Sequence, residues 1–132
     1  LESIRFLVTK GGVDVVFLDH ITMLVTGNEN DDERRKLDYI STKMKKMAKE
    51  LRFCLVIISH VNDDGKTRGS RNITKVANTV IHMSRDLTST DELTRNTLVL
   101  TIEKARLTGR TGPGGRYFFD TSSYTLKELP DA

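Results

Sequence analysis

Residues Val13–His20, VDVVFLDH, form an apolar run that ends in an acidic residue and a histidine, and this run indicates the fold class. Such a run predicts a β-strand buried on both faces, as in a parallel sheet that helices cover on each side. Ligands of open α/β sheets bind beyond the carboxyl ends of the strands, where Asp19 stands. A carboxylate there suits a cation, which in nucleotide-hydrolysing proteins is the magnesium ion on the phosphates. The strand alone leaves open that Asp19 only caps a loop.

A second apolar run, Phe53–Ile58, is joined to the first by a helical pattern over Asp31–Arg52. Acidic residues lie in the first turn of this segment and basic residues in its last, which suits the helix dipole. Its apolar residues recur at spacings of three and four and form one stripe, Leu37, Ile40, Met44, Met47 and Leu51. Strand, helix and strand in this order predict a βαβ unit with parallel strands.

The rest of the chain predicts shorter elements with a different arrangement. The predicted elements are a short helix at Arg71–Ala77, a strand at Thr79–Met83, a polar loop at Ser84–Asn96, a strand at Thr97–Glu103, the turn-rich Gly109–Gly115 and two short closing strands. Parallel architecture therefore gives way to antiparallel hairpins. We expect residues 1–132 to form a single partial domain, because the chain opens with Leu1 inside a helical pattern.

The amino-acid composition limits the classes of protein to which the chain can belong. Hydrophobic residues make up 37% and charged residues 30% of the 132 residues, which is typical of a soluble globular domain. No apolar run reaches the roughly 20 residues needed to span a membrane, so no membrane partner is expected. A net charge of +3 permits a nucleic-acid partner without indicating one. We interpret Cys54, the single cysteine, as a core residue of a protein in a reducing compartment.

The segment His60–Thr67, HVNDDGKT, is similar to the phosphate-binding loop G-x-x-x-x-G-K-[ST]. Three features argue against that function. His60 stands where the tight turn requires glycine, and two aspartates would lie beside phosphate oxygens. A phosphate-binding loop also normally precedes the magnesium-binding acid, whereas Asp19 comes first here. We therefore interpret the segment as the end of a strand and a loop.

The loop after the second strand is basic. Lys66, Arg68 and Arg71 fall within six residues and are interleaved with Gly69 and Ser70. Cations and exposed backbone amides together suit a phosphate backbone, although a solvated turn has the same composition.

A second basic cluster lies near the end of the chain. Lys104 and Arg106 are two apart at the end of a β-type run, and residues two apart in a strand point the same way. Such a pair suits a phosphate clamp, and a charged edge that discourages strand pairing is the alternative.

Four short motifs occur in a fixed order, FLDH, ISH, RGS and K-x-R-x-T-G-x-T-G. The first motif alone is weakly specific, but the ordered set is specific and resembles the C-terminal half of RecA-like hexameric replicative helicases. The helicase domain of podovirus-type phage primase-helicases, related to the DnaB helicases and to mitochondrial Twinkle, is the most similar. The resemblance extends from about Val13 to Leu126 and implies an α/β fold, the C-terminal half of a RecA-like P-loop NTPase core.

The resemblance also implies roles for individual residues. Asp19 would be the Walker B acid that holds Mg²⁺, and His60 the sensor at the γ-phosphate. Arg106 would be the arginine finger that reaches a neighbouring subunit's nucleotide, with Lys104 beside it. The DNA-contacting residues would be Lys66, Arg68, Gly69 and Arg71. Some relatives carry an Arg–Gln pair where this chain has Thr74 and Lys75, so no glutamine sensor is assigned.

The implied protein is a replicative DNA helicase that uses ATP or dTTP with Mg²⁺ and unwinds DNA. Expected partners are single-stranded DNA, five further copies in a homo-hexamer and a replicative DNA polymerase, in the cytoplasm of a bacterial host. The 132 residues contain neither a Walker A loop nor the upstream catalytic glutamate, so the chain alone is expected to be inactive. The alternatives are a RecA-like recombination protein that does not unwind DNA and a small phosphate-binding module.

Overall fold

A parallel pair of strands and an antiparallel sheet of four strands organise the chain in the computed structural model, which describes residues 1–25, 30–61 and 71–130. The chain divides into two units, Leu1–Ala77 and Asn78–Ala132. The first unit contains α1 (Glu2–Thr9), β1 (Val15–Asp19), a 3₁₀ helix (Ile21–Leu24), α2 (Asn30–Leu51), β2 (Cys54–Ile58) and α3 (Arg71–Val76). The second contains β3 (Thr79–Ser84), α4 (Glu92–Arg95), β4 (Thr97–Ala105), β5 (Gly112–Asp120) and β6 (Thr125–Leu129).

The predicted βαβ unit is confirmed. β1 and β2 pair in parallel from Val15 opposite Cys54 to Asp19 opposite Ile58, and α2 forms the crossover between them. Two residues of the predicted apolar stripe, Leu37 and Met44, are fully buried. The helix forms here because burial of this stripe outweighs the low helical tendency of an isolated segment.

One hydrophobic cluster holds the first unit together. Its buried members are Ile21, Val25, Leu37, Met44 and Ile73, and its partly buried members are Leu18, Ile40, Leu55 and Ile57. The cluster therefore joins one face of the parallel pair to α2, α3 and the 3₁₀ helix.

The prediction that the first strand is buried on both faces is wrong for this chain. Side chains alternate between the faces of a strand, and only the inward set of β1 and β2 meets the helices. On the opposite face Phe17 is 71% and Val15 45% exposed. Cys54 lies on that face and is exposed, so its interpretation as a core residue is also wrong.

The second unit is an antiparallel meander in the order β3-β4-β5-β6, which confirms the predicted hairpins. The helix α4 was not predicted and interrupts the expected polar loop. Asp91 caps it, because its carboxylate accepts hydrogen bonds from the backbone N–H of Thr94 at 2.8 Å and from its hydroxyl at 2.7 Å. These two bonds lower the pKa of Asp91 below its usual range.

The prediction of a turn over Gly109–Gly115 is wrong for its second half, because β5 begins at Gly112. Gly115 has a φ of +117°, which side-chain-bearing residues rarely adopt, and a Cβ there would lie 3.0 Å from the Tyr117 ring. The ladder between β4 and β5 shifts register between Leu100 and Thr101. No helix in the described part of the chain is long and apolar enough to cross a membrane.

The turn between β5 and β6 is fixed by one carboxylate. Asp120 accepts hydrogen bonds from Lys127 Nζ at 2.7 Å, from the Ser122 hydroxyl at 2.6 Å and from the Ser122 backbone N–H at 2.9 Å. Together they hold the pKa of Asp120 well below its usual range, with the Lys127 bond as the largest cause.

The hydrogen bonds of Asp120 in this turn should make the free energy of unfolding depend on pH. Because the folded-state pKa of Asp120 is lowered, its contribution is present above the ordinary carboxyl pKa of about 3.9 and is lost as the pH falls below that value. We therefore expect Asp120→Asn to lower the free energy of unfolding at pH 7, with a difference from the original chain that shrinks towards pH 2. Urea unfolding at several pH values measures this. Glu128→Gln, on an exposed residue of the same hairpin, is the control, and an equal change in both variants would contradict the assignment.

Candidate nucleotide and DNA site

The parallel pairing of β1 and β2 brings two predicted site residues to one edge of the sheet. Asp19 ends β1 and lies opposite Ile58, the last residue of β2, so that His60 follows β2 at the same end. This is the edge at which open α/β sheets bind ligands. The sequence prediction that Asp19 and His60 belong together is therefore compatible with the geometry.

The Asp19 carboxylate is exposed, and within the described ranges it forms no salt bridge and accepts no side-chain hydrogen bond. No group of three or more potential metal ligands occurs among the described residues. Mg²⁺ in nucleotide sites usually keeps several waters and takes only one or two carboxylates besides the phosphates. A single unengaged carboxylate at the strand end therefore fits a magnesium–nucleotide ion.

A pair of histidines occupies the same edge. The rings of His20 and His60 lie with their centroids 4.7 Å apart and their planes at 78°, an edge-on contact. A hydrogen bond joins His20 Nδ1 to the Thr22 hydroxyl. The peptide bond between Asp19 and His20 is cis.

Sequence reasoning missed His20, although the motif FLDH contains it. The available signal was positional, since each parallel strand is followed within two residues by a histidine. Ser59, beside His60, was also missed. Its hydroxyl oxygen is buried and, within the described part of the chain, has no hydrogen-bond partner.

The loop after β2 carries the predicted DNA contacts. Lys66, Arg68 and Gly69 lie outside the described residues, so their assignment stays a prediction. Arg71 is exposed at the start of α3.

The helix that follows this loop, α3, is hydrogen-bonded to α2 through the Asn72 side chain. Asn72 Nδ2 lies 3.0 Å from the Asp38 carbonyl, the Ser41 hydroxyl and the Thr42 hydroxyl, and its two N–H groups are shared among these three acceptors. Ser41 is 1% exposed and Ile73 also packs in the core, so polar and apolar contacts fix α3 together.

The second predicted basic pair lies in the other unit. Lys104 is half-buried on β4 opposite Val80, and Arg106 follows the strand end and is exposed. The Arg106 backbone N–H donates to the Asn78 carbonyl at 2.8 Å, so backbone pairing continues past the end of β4. The roles of both residues remain predictions.

Comparisons with known proteins agree with this fold. The chain is similar in structure to a solved ATPase domain, with a TM-score of 0.76 and 21% sequence identity over 98% of this chain and 50% of that one. This likeness supports the α/β fold that the resemblance implied.

The sequence identifies the family. Residues 2–123 match the DnaB-like helicase C terminal domain family, and the chain belongs to it. It is also 30% identical to the DNA helicase/primase of Enterobacteria phage T3, over 95% of this chain and 25% of that protein. The chain thus spans a quarter of that relative and half of the solved ATPase domain.

The anchor of α3 can be tested by a double-mutant cycle on Asn72→Ala and Ser41→Ala. Removing the Asn72 amide should lower the free energy of unfolding by about 1–3 kcal/mol, because buried or half-buried polar groups lose their partner. Urea unfolding of both single variants and of the double variant measures their coupling. Strictly additive losses would show that the bond between these two side chains contributes nothing.

Proposed function

We propose that this chain is part of the motor domain of a replicative DNA helicase, which uses nucleotide hydrolysis to translocate on single-stranded DNA and unwind duplex DNA. The observation that carries the proposal is the placement of Asp19 and His60 at one edge of a parallel strand pair. Membership of the DnaB-like helicase family supports a helicase as the parent protein. The match is to a helicase family, which does not favour the recombination alternative.

In this proposal Asp19 binds the magnesium ion of ATP or dTTP, through water. The ion, when bound, neutralises charge on the phosphates during phosphoryl transfer. Asp19 orients the nucleotide at the strand edge, and its freedom from side-chain partners among the described residues supports this role.

His60 is the proposed sensor. It follows β2 and stands directly before the basic loop, so one short segment connects the nucleotide edge with the proposed DNA contacts. Lys66, Arg68 and Arg71 would neutralise phosphates of one DNA strand, and Gly69 would let the backbone approach it.

Arg106 is the proposed arginine finger, with Lys104 beside it. A finger that reaches the nucleotide of a neighbouring copy requires an oligomer, and we propose a homo-hexameric ring. A replicative DNA polymerase is a further proposed partner, and the cytoplasm of a bacterial host is the proposed location. Because its 132 residues contain no Walker A loop, the chain by itself is proposed to lack hydrolysis.

The finger can be tested by mixing two inactive variants of the parent protein. Arg106→Ala should abolish nucleotide hydrolysis but largely preserve nucleotide binding, because the arginine would act on a neighbour's site. Asp19→Asn should also be inactive. Mixed rings should recover part of the activity, since some interfaces combine an intact Asp19 with an intact Arg106. Phosphate release measures the recovery, and mixed rings that demonstrably form without any turnover would contradict action between subunits.

The DNA contact can be tested through its dependence on salt. Each phosphate neutralised on a single strand contributes about 0.7 to the slope of log affinity against log salt concentration. Lys66→Ala or Arg68→Ala in the assembled parent should lower that slope by a comparable step for each contacting subunit and should impair unwinding. Lys75→Ala, an exposed lysine on α3, serves as the control. An unchanged slope in both loop variants would leave the loop as a solvated turn.

A further inference from the structure

We infer that His20 is a positioning residue for His60, which it holds in the orientation that the nucleotide sensor requires. The inference rests on the proposed function of His60. The observation that carries it is the edge-on contact of the two rings, at 4.7 Å between centroids and 78° between planes.

The contact matters because the described part of the chain restrains the His60 side chain at few other points. Its side chain is exposed, and within the described residues the ring of His20 is its one recorded side-chain partner. An exposed imidazole samples several rotamers, and a sensor in the wrong rotamer cannot meet a phosphate oxygen. Two rings at this distance and angle have the arrangement that aromatic pairs prefer.

His20, in contrast, is restrained by three contacts, which involve its side chain, its backbone carbonyl and the next residue. Its Nδ1 is hydrogen-bonded to the Thr22 hydroxyl, and its carbonyl accepts a bond from the Met23 backbone N–H at 3.1 Å. The next residue, Ile21, is fully buried in the hydrophobic cluster. His20 is therefore fixed to the core through its neighbours and can transmit that rigidity to His60.

A metal bridge between the two histidines is a weaker interpretation. No cluster of three or more potential ligands occurs among the described residues, and two imidazoles alone make an incomplete site for a transition metal. Simple packing is also weaker, because the contact lies at an exposed strand edge and not in the hydrophobic cluster.

The test uses Thr22→Val in the full-length parent protein. This change removes the hydroxyl that holds His20 and leaves both histidines and Asp19 in place. We expect the DNA-stimulated kcat of hydrolysis to fall by about threefold to tenfold, as for the loss of one oriented contact, with little change in KM for the nucleotide. Thr22→Ser, which keeps the hydroxyl, should retain the rate.

Thr9→Val is the matched control, because it also removes a hydroxyl that donates a hydrogen bond, to the Arg5 carbonyl at 2.8 Å. Melting temperature and ring assembly are measured for every variant, so that a loss of kcat without a loss of either one separates positioning from folding. A fall in melting temperature that accounts for the loss of rate would overturn the inference.

A double-mutant cycle with His60→Ala decides whether His20 acts through His60. In the original background His20→Ala should lower the DNA-stimulated kcat, and in the His60→Ala background it should cause no further fall. Equal falls in both backgrounds would overturn the inference. If His60→Ala removes DNA stimulation while Thr22→Val and His20→Ala keep it, only the positioning role fails. If His60→Ala itself keeps full stimulation, the proposed sensor fails as well.

Discussion

The parallel pairing of β1 with β2 is the constraint on which the first unit depends. Parallel neighbours cannot be joined by a tight turn, so the chain must cross over, and α2 supplies that crossover. The crossover holds because Leu37 and Met44 bury their side chains against the inward face of the pair. Parallel strands also end at the same edge, so residues distant in sequence meet there without any long-range polar contact having to align them. The opposition of Asp19 to Ile58 and the meeting of His20 with His60 both follow from this register.

Much of this arrangement was predictable because it depends on periodicity. The helix α2 and the parallel pair bury a regular pattern of apolar residues, and β4 alternates the half-buried Leu98, Leu100 and Ile102 with more exposed residues. Such patterns are visible in one sequence. The helix α4 was not predictable in this way, because its four residues are too few to show a period and depend on the Asp91 cap. Burial of both strand faces was wrongly predicted from the apolar content of β1. That content shows that both faces can be covered, but the described chain supplies helices for only one.

The candidate site likewise contains features that the sequence predicts and features that it does not. The place of Asp19 at the end of β1 could be predicted, because the acid directly follows an apolar strand pattern. The ring contact of His20 depends on strand register and on the hydrogen bond to Thr22, which no local pattern reveals. The Asn72 amide is similar, because its acceptors at Asp38 and Ser41 are about thirty residues away in the chain. Contacts between side chains that are distant in the sequence are therefore harder to predict than a residue at the end of an apolar strand.

Ile21 and Asn72 show how the backbone beside an exposed strand edge can be fixed. Asp19 and His60 must be accessible if they are to meet a ligand, so neither can be fixed by burial. The chain instead fixes the residues beside them. Ile21, immediately after the Asp19–His20 segment, is fully buried, and Asn72 and Ile73 tie the start of α3 to α2 just after the basic loop. Beside Asp19, the buried Ile21 two residues along the chain fixes the backbone, while the Asp19 carboxylate itself stays open to solvent.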